Sequence, residues 1–103
     1  MPDVRGIAAA YGVRVELDDL GGWNDTQLVA EYDPDGPVIR VNERAIPTGS
    51  SCVAREHIDR AIAHELYHHR EAIGEVPRLP DRAARERAAD AFAEQLISTV
   101  TPS

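Results

Sequence analysis

The sequence predicts a single α+β domain: a short helix, a small antiparallel sheet of about three strands, then two longer helices. Three observations carry that expectation. Residues 13–17 alternate apolar and polar side chains, which is a strand signature. Asp33-Pro34-Asp35-Gly36-Pro37 is a strong turn signal between two further strand-like runs, 27–32 and 38–41, which therefore form a hairpin. In the second half of the chain, apolar residues recur at helical spacing over two long segments. At 103 residues the chain has room for one core, near the small end of what folds alone. Its 43% hydrophobic and 28% charged content is ordinary for a globular protein and argues against disorder. Aromatic content of 5% makes the core aliphatic, and 15 alanines point to close helix packing.

The elements follow in order. Asp3 caps a first helix over 3–11, where Val4, Ile7, Ala8 and Tyr11 share a face and Gly12 ends it. After the first strand, Asp18-Asp19-Leu20-Gly21-Gly22 is turn chemistry, and Trp23 closes a small core or anchors a partner. Asn42 closes the second hairpin strand. Residues 46–51 form a loop in which Ser50 or Ser51 caps a long helix over about 52–73, ended by Gly74 and Pro77. Ile58, Ile62, Leu66 and Ile73 form its apolar stripe. Pro77 and Pro80 bracket a linker, and Asp81 caps a last helix to about residue 99. The inner stripe of that helix is Ala89, Phe92, Ala93, Leu96 and Val100.

Charge excludes several classes of function. Eleven basic against 18 acidic residues give −7, with a pI near 4.9, and every basic residue is arginine. That balance disfavours a binder of nucleic-acid backbone, which needs clustered cations. One cysteine, Cys52, excludes an internal disulfide and any zinc module with two or more cysteines, and it is expected to be structural. No apolar h-region follows Met1-Pro2-Asp3-Val4-Arg5, and no apolar run approaches the ~18 residues of a membrane span, so a cytoplasmic protein is expected.

The long helix contains His64-Glu65-Leu66-Tyr67-His68, an H-E-x-x-H pattern. Residues four apart sit one turn apart, about 40° round the axis, so His64 and His68 can reach one tetrahedral zinc. Glu65 projects about 100° from His64, beside the metal, where a base can take a proton from a zinc-bound water. A pattern this short also arises by chance. On the last helix, Glu86 and Asp90 stand four apart. Glu86 can complete the two-histidine, one-glutamate set known from thermolysin. Asp90 can accept the free ring N–H of a ligand histidine and fix its tautomer. The alternative is a solvated helix face with an Arg82–Glu86 pair.

These residues resemble the small gluzincin-type metallopeptidases of the ImmA/IrrE group. The chain reads Ile39-Arg40-Val41-Asn42, then His64-Glu65-Leu66-Tyr67-His68, then Glu86-Arg87-Ala88-Ala89-Asp90-Ala91-Phe92-Ala93-Glu94-Gln95-Leu96. The similarity extends over about 13–97. It implies a zincin-like fold, His64, His68 and Glu86 as zinc ligands, Glu65 as general base, and a sheet edge that pairs with an extended substrate. A regulatory protein such as a repressor is the implied substrate, with no direct binding to nucleic acid or membrane. Departures are Tyr67 where glycine is usual, His69 where an apolar residue is usual, and only 17 residues between His68 and Glu86. His69 reads as a partly buried polar residue, a substrate contact or an alternative ligand; His57 reads as exposed. No later helix supplies an oxyanion-stabilising group, which leaves Tyr32, Tyr11 or His57 for that role. The expected function is zinc-dependent endopeptidase. The rivals are an inactive zinc-bound interaction module and a metal-free helical adaptor.

Overall fold

The computed structural model describes residues 3–20, 29–46, 49 and 51–100. Helix α1 (Val4–Ala10) is capped by Asp3, whose carboxylate accepts from the Gly6 N–H at 2.7 Å. Gly12, at φ +76°, turns the chain into strand β1 (Arg14–Asp18). Strands β2 (Ala30–Asp33) and β3 (Val38–Asn42) form the expected antiparallel hairpin about the turn at 34–37. A short 3-10 turn, Glu43–Ala45, precedes helix α2 (Ser51–Ala72), and helix α3 (Arg82–Val100) follows the proline-bracketed linker.

The sheet differs from the all-antiparallel one expected. Its order is β1-β3-β2, and β1 pairs parallel with β3. The chain geometry explains the mixture. β1 ends at Asp18 beside Asn42, at the end of the sheet where β2 begins opposite Val41. β2 therefore sets off opposite to β1, and β3, returning antiparallel to β2, runs back parallel to β1. Alternation in a sequence says which residues face the core, and it carries no information about which strands are neighbours. The buried run Val38, Ile39, Val41 fits a central strand. Asn42, fully buried, ties the exits together: its Oδ1 accepts from the N–H groups of Leu20 (3.1 Å) and Arg44 (3.2 Å).

Ile39 and Val41 join Val4, Ala8, Ile62, Leu66 and Ala93 in one core. Tyr32 and Ala30 stand opposite them on the same side of the sheet. Glu31 and Asp33 project from the other side and pair with Arg40 at 3.2 and 3.8 Å. Burying Ile62 and Leu66 contributes about 2–3 kcal/mol each. The exposed Arg60–Glu56 pair on the same helix contributes about 0.3–0.5 kcal/mol, so apolar burial sets the orientation of α2.

Several expectations need correcting. Ile73 lies beyond the end of α2, just before Gly74 at φ +79°, and is 54% exposed rather than part of the stripe. Ile97 is buried with Ala89 and Ala93 on α3, where Phe92 and Leu96 are half-buried. Cys52, expected to be structural, is exposed. The turn at Gly21-Gly22, Trp23, the strand start at 27–28, Ser50 and the side chain of Val100 lie outside the described residues. Among the described residues, no helix is long and apolar enough to cross a membrane.

Candidate metal centre

Two helices build the site. α2 buries Ile62 and Leu66 against the sheet, which turns His64 and His68 toward α3; burial of Ala89 and Ala93 turns Glu86 of α3 back toward them. One ligand atom from each of His64, His68 and Glu86 lies within 4.8 Å of the others, and the group can hold a metal ion. Nε2 of His64 is 2.9 Å from Glu86 Oε2, and Nε2 of His68 is 3.3 Å from Glu86 Oε1. A tetrahedral ion with bonds of about 2.0–2.1 Å needs its ligand atoms about 3.3 Å apart; the His68–Glu86 distance of 3.3 Å matches this, and the His64–Glu86 distance of 2.9 Å is shorter.

The outer ring nitrogens strengthen the case. His64 Nδ1 is 2.7 Å from Asp90 Oδ1, and His68 Nδ1 is 2.8 Å from Glu71 Oε1. Each ring has a carboxylate at both nitrogens, and a neutral imidazole can donate to only one of them; with Nδ1 donating outward, each Nε2 lone pair faces Glu86. Two lone pairs facing a carboxylate at these distances repel one another unless a cation lies among them. Either protonated imidazolium rings or a metal ion resolves the repulsion, and two imidazoles with one carboxylate are a donor set suited to zinc.

Asp90 lies against His64 Nδ1, one helical turn on from Glu86. Glu71 was missed. Its side chain is 2% exposed and is held by Arg85, whose Nε and Nη2 donate to Oε2 and Oε1 at 3.1 Å each. Hydrogen bonds from Arg85, with help from His68, hold the Glu71 carboxyl below the usual glutamate range despite burial. The available signal was its position three residues after His68 on the same helix. The alternative Arg82–Glu86 pair is not formed among the described residues.

Two variants probe these outer contacts. Asp90→Ala is expected to weaken metal affinity by roughly tenfold or more, read by competition against a chromogenic chelator. Arg85→Ala leaves Glu71 buried beside His68 without its guanidinium. A lower urea midpoint of unfolding than in the wild type is expected, because the Glu71 carboxylate stays buried without its partner.

Glu65 lies between two clefts. One, of about 440 Å³, is walled by Val29, Ala30 and Ala61, with His57, His64 and Glu65 among its lining. The other, of about 330 Å³, is lined by Tyr32, Glu65, His68, Arg82, Arg85 and Glu86. Burial raises the Glu65 carboxyl above its ordinary range; His64 and His68 oppose the shift, and Glu86 and Glu31 add to it.

The remaining candidates separate. His69 is buried, and its Nδ1 lies 2.7 Å from the Tyr32 hydroxyl, so it belongs to the core beneath Tyr32 and not to the His64–His68–Glu86 group. Burial lowers the pKa of His69 and raises that of Tyr32, leaving a neutral imidazole against an intact phenol. Tyr32 reaches the second cleft. Tyr11 instead donates to Glu75 at 2.8 Å. His57, expected to be exposed, is half-buried at the first cleft, and among the described residues its Nε2 has no partner. Tyr67 finds room against Phe92, with ring centres 5.8 Å apart, and Arg70 lies over the same Phe92 ring. Compared with protein-family models, curated proteins and solved structures, the chain matches none.

Proposed function

We propose that the chain is a zinc-dependent endopeptidase acting on an extended segment of a protein, with a regulatory protein as the substrate that the ImmA/IrrE resemblance implies. The observation that carries the reading is the pair of imidazoles, each with Nδ1 against a carboxylate and Nε2 turned to the shared Glu86. His64, His68 and Glu86 would hold the ion, while Asp90 and Glu71 keep the rings in the tautomer that binds it. Bound there, zinc would polarise a peptide carbonyl and make a water acidic enough to lose a proton near neutral pH.

The chain's own residues supply the rest. Glu65 sits next to His64 in sequence and lines both clefts, so its carboxylate is within the space where water and a scissile bond would meet. It takes the proton of the attacking water and returns it to the leaving amine. Of the three oxyanion candidates, Tyr32 lines the cleft that contains Glu65 and Glu86, and its hydroxyl would have to leave His69 Nδ1 to donate there. Strand β2, an edge of the sheet among the described residues, offers backbone groups to an extended substrate.

The test is hydrolysis of a mixed peptide pool, followed by mass spectrometry, with the protein loaded with zinc, stripped by a chelator, and reloaded. Cleavage that disappears on stripping and returns with zinc is the expected result. Stoichiometric zinc with no cleavage would leave an interaction module in which metal joins helix to helix. Failure to bind zinc at all would sink both readings.

A further inference from the structure

We propose that the site selects an acidic side chain on the N-terminal side of the bond it cuts, read by Arg82; this rests on the peptidase reading above. The sheet register gives the direction. Asn42 N–H donates to Val29 O at 2.9 Å, so the pairs 29–42, 31–40 and 33–38 point their backbone groups inward between β2 and β3. The alternate residues, Ala30 and Tyr32, turn theirs to the outer edge. Each belongs to a different cleft: Ala30 to the apolar one, Tyr32 to the one with the arginines. Antiparallel pairing is the more stable and the more frequent arrangement. A peptide paired that way with β2 places the residue opposite Tyr32 before the residue opposite Ala30. Its N-terminal part therefore lies over the Tyr32 cleft.

Charge distinguishes the two clefts. In the apolar cleft Arg60 is already neutralised, with Glu94 at 2.7 Å and Glu56 at 3.3 Å. In the Tyr32 cleft Glu86 is committed to the imidazoles, and Arg85 gives Nε and Nη2 to Glu71. Arg82 makes no ion pair among the described residues. It is the first residue of α3, an end whose Ala83 N–H is already taken by the Asp81 carboxylate at 3.3 Å, so the guanidinium itself supplies the positive charge. An aspartate or glutamate side chain complements a guanidinium in that position, and a lysine or arginine would be repelled. On the other side of the scissile bond, Val29, Ala30 and Ala61 provide an apolar wall without an unpaired cation.

The experiment uses the full chain loaded with zinc and peptides randomised on both sides of a central position, with cleaved bonds read by mass spectrometry. Asp and Glu are expected to be enriched just N-terminal to the cut. Arg82→Glu is expected to lower kcat/KM for an acidic peptide by ~10-fold or more and to favour the same peptide with lysine at that position. A glutamate suits the first turn of a helix, so the variant is expected to fold. The second readout needs no turnover: a fluorescein-labelled acidic peptide should bind the zinc-loaded Glu65→Gln protein and lose affinity when Arg82→Glu is added. Cleavage without acidic preference, or a preference unmoved by Arg82→Glu, would overturn this inference and leave the peptidase reading standing. No cleavage of any peptide by the zinc-loaded protein would overturn both.

Discussion

Glu65→Gln should keep a full equivalent of zinc and lose peptide hydrolysis by about 10²–10⁴-fold, the range in which a positioned acid–base group contributes. Glutamine preserves the shape and leaves one carbonyl oxygen toward the clefts, so packing changes little. What disappears is the capacity to take a proton from water and pass it to an amine. Metal content by elemental analysis and kcat/KM on one peptide separate the two effects. Metal lost together with activity would mean that Glu65 holds the ion, contrary to its assigned role. An active Glu65→Gln protein would eliminate the mechanism outright.

Glu86→Ala should lose the metal, because among the described residues it removes the only carboxylate that faces both Nε2 atoms. Two imidazoles four residues apart on one helix still bind zinc, but weakly, since the third donor and its negative charge are gone. A fall of at least 10²-fold in affinity is the expected scale, as an order of magnitude for a lost ligand exceeding the 10–100-fold typical of an outer contact. The zinc-induced rise in melting temperature should shrink in parallel, since ligand binding stabilises by mass action. Arg82→Ala is the control, because Arg82 touches none of the three ligand atoms among the described contacts. Zinc retained by Glu86→Ala at wild-type affinity would move the site away from α3.

The parts of this molecule that depend on local periodicity are legible in the sequence. His64, Glu65 and His68 lie within five residues of a helix whose phase is fixed by Ile62 and Leu66. Glu86 and Asp90 lie on a second helix phased by Ala89 and Ala93, and a short linker leaves few ways to pack the two. Strand order is different in kind. Whether β1 joins β2 or β3 depends on contacts across 24 positions of register, and the alternation of 13–17 is the same in both arrangements. Glu71 and Arg85 illustrate a second limit. Each reads as an ordinary surface charge on a charged helix, and only the docking of α2 on α3 removes the carboxylate from water and supplies the guanidinium. His57 fails for a related reason, since the cleft it lines is formed between α2 and the residues at the start of β2.

The Glu71–Arg85 pair has a consequence for alignment. Glu86 and Asp90 are four residues apart, so sliding α3 along α2 by about 6 Å, with a small rotation, would carry Asp90 into the place of Glu86 and still present a carboxylate to the imidazoles. The ligand carboxylates alone therefore tolerate two settings of the helices. Arg85 does not: the same slide brings Ala89 to its position and strands a buried Glu71 opposite a methyl group. The guanidinium acts as a key that fits one notch, and it determines which of two chemically similar carboxylates faces the two imidazoles.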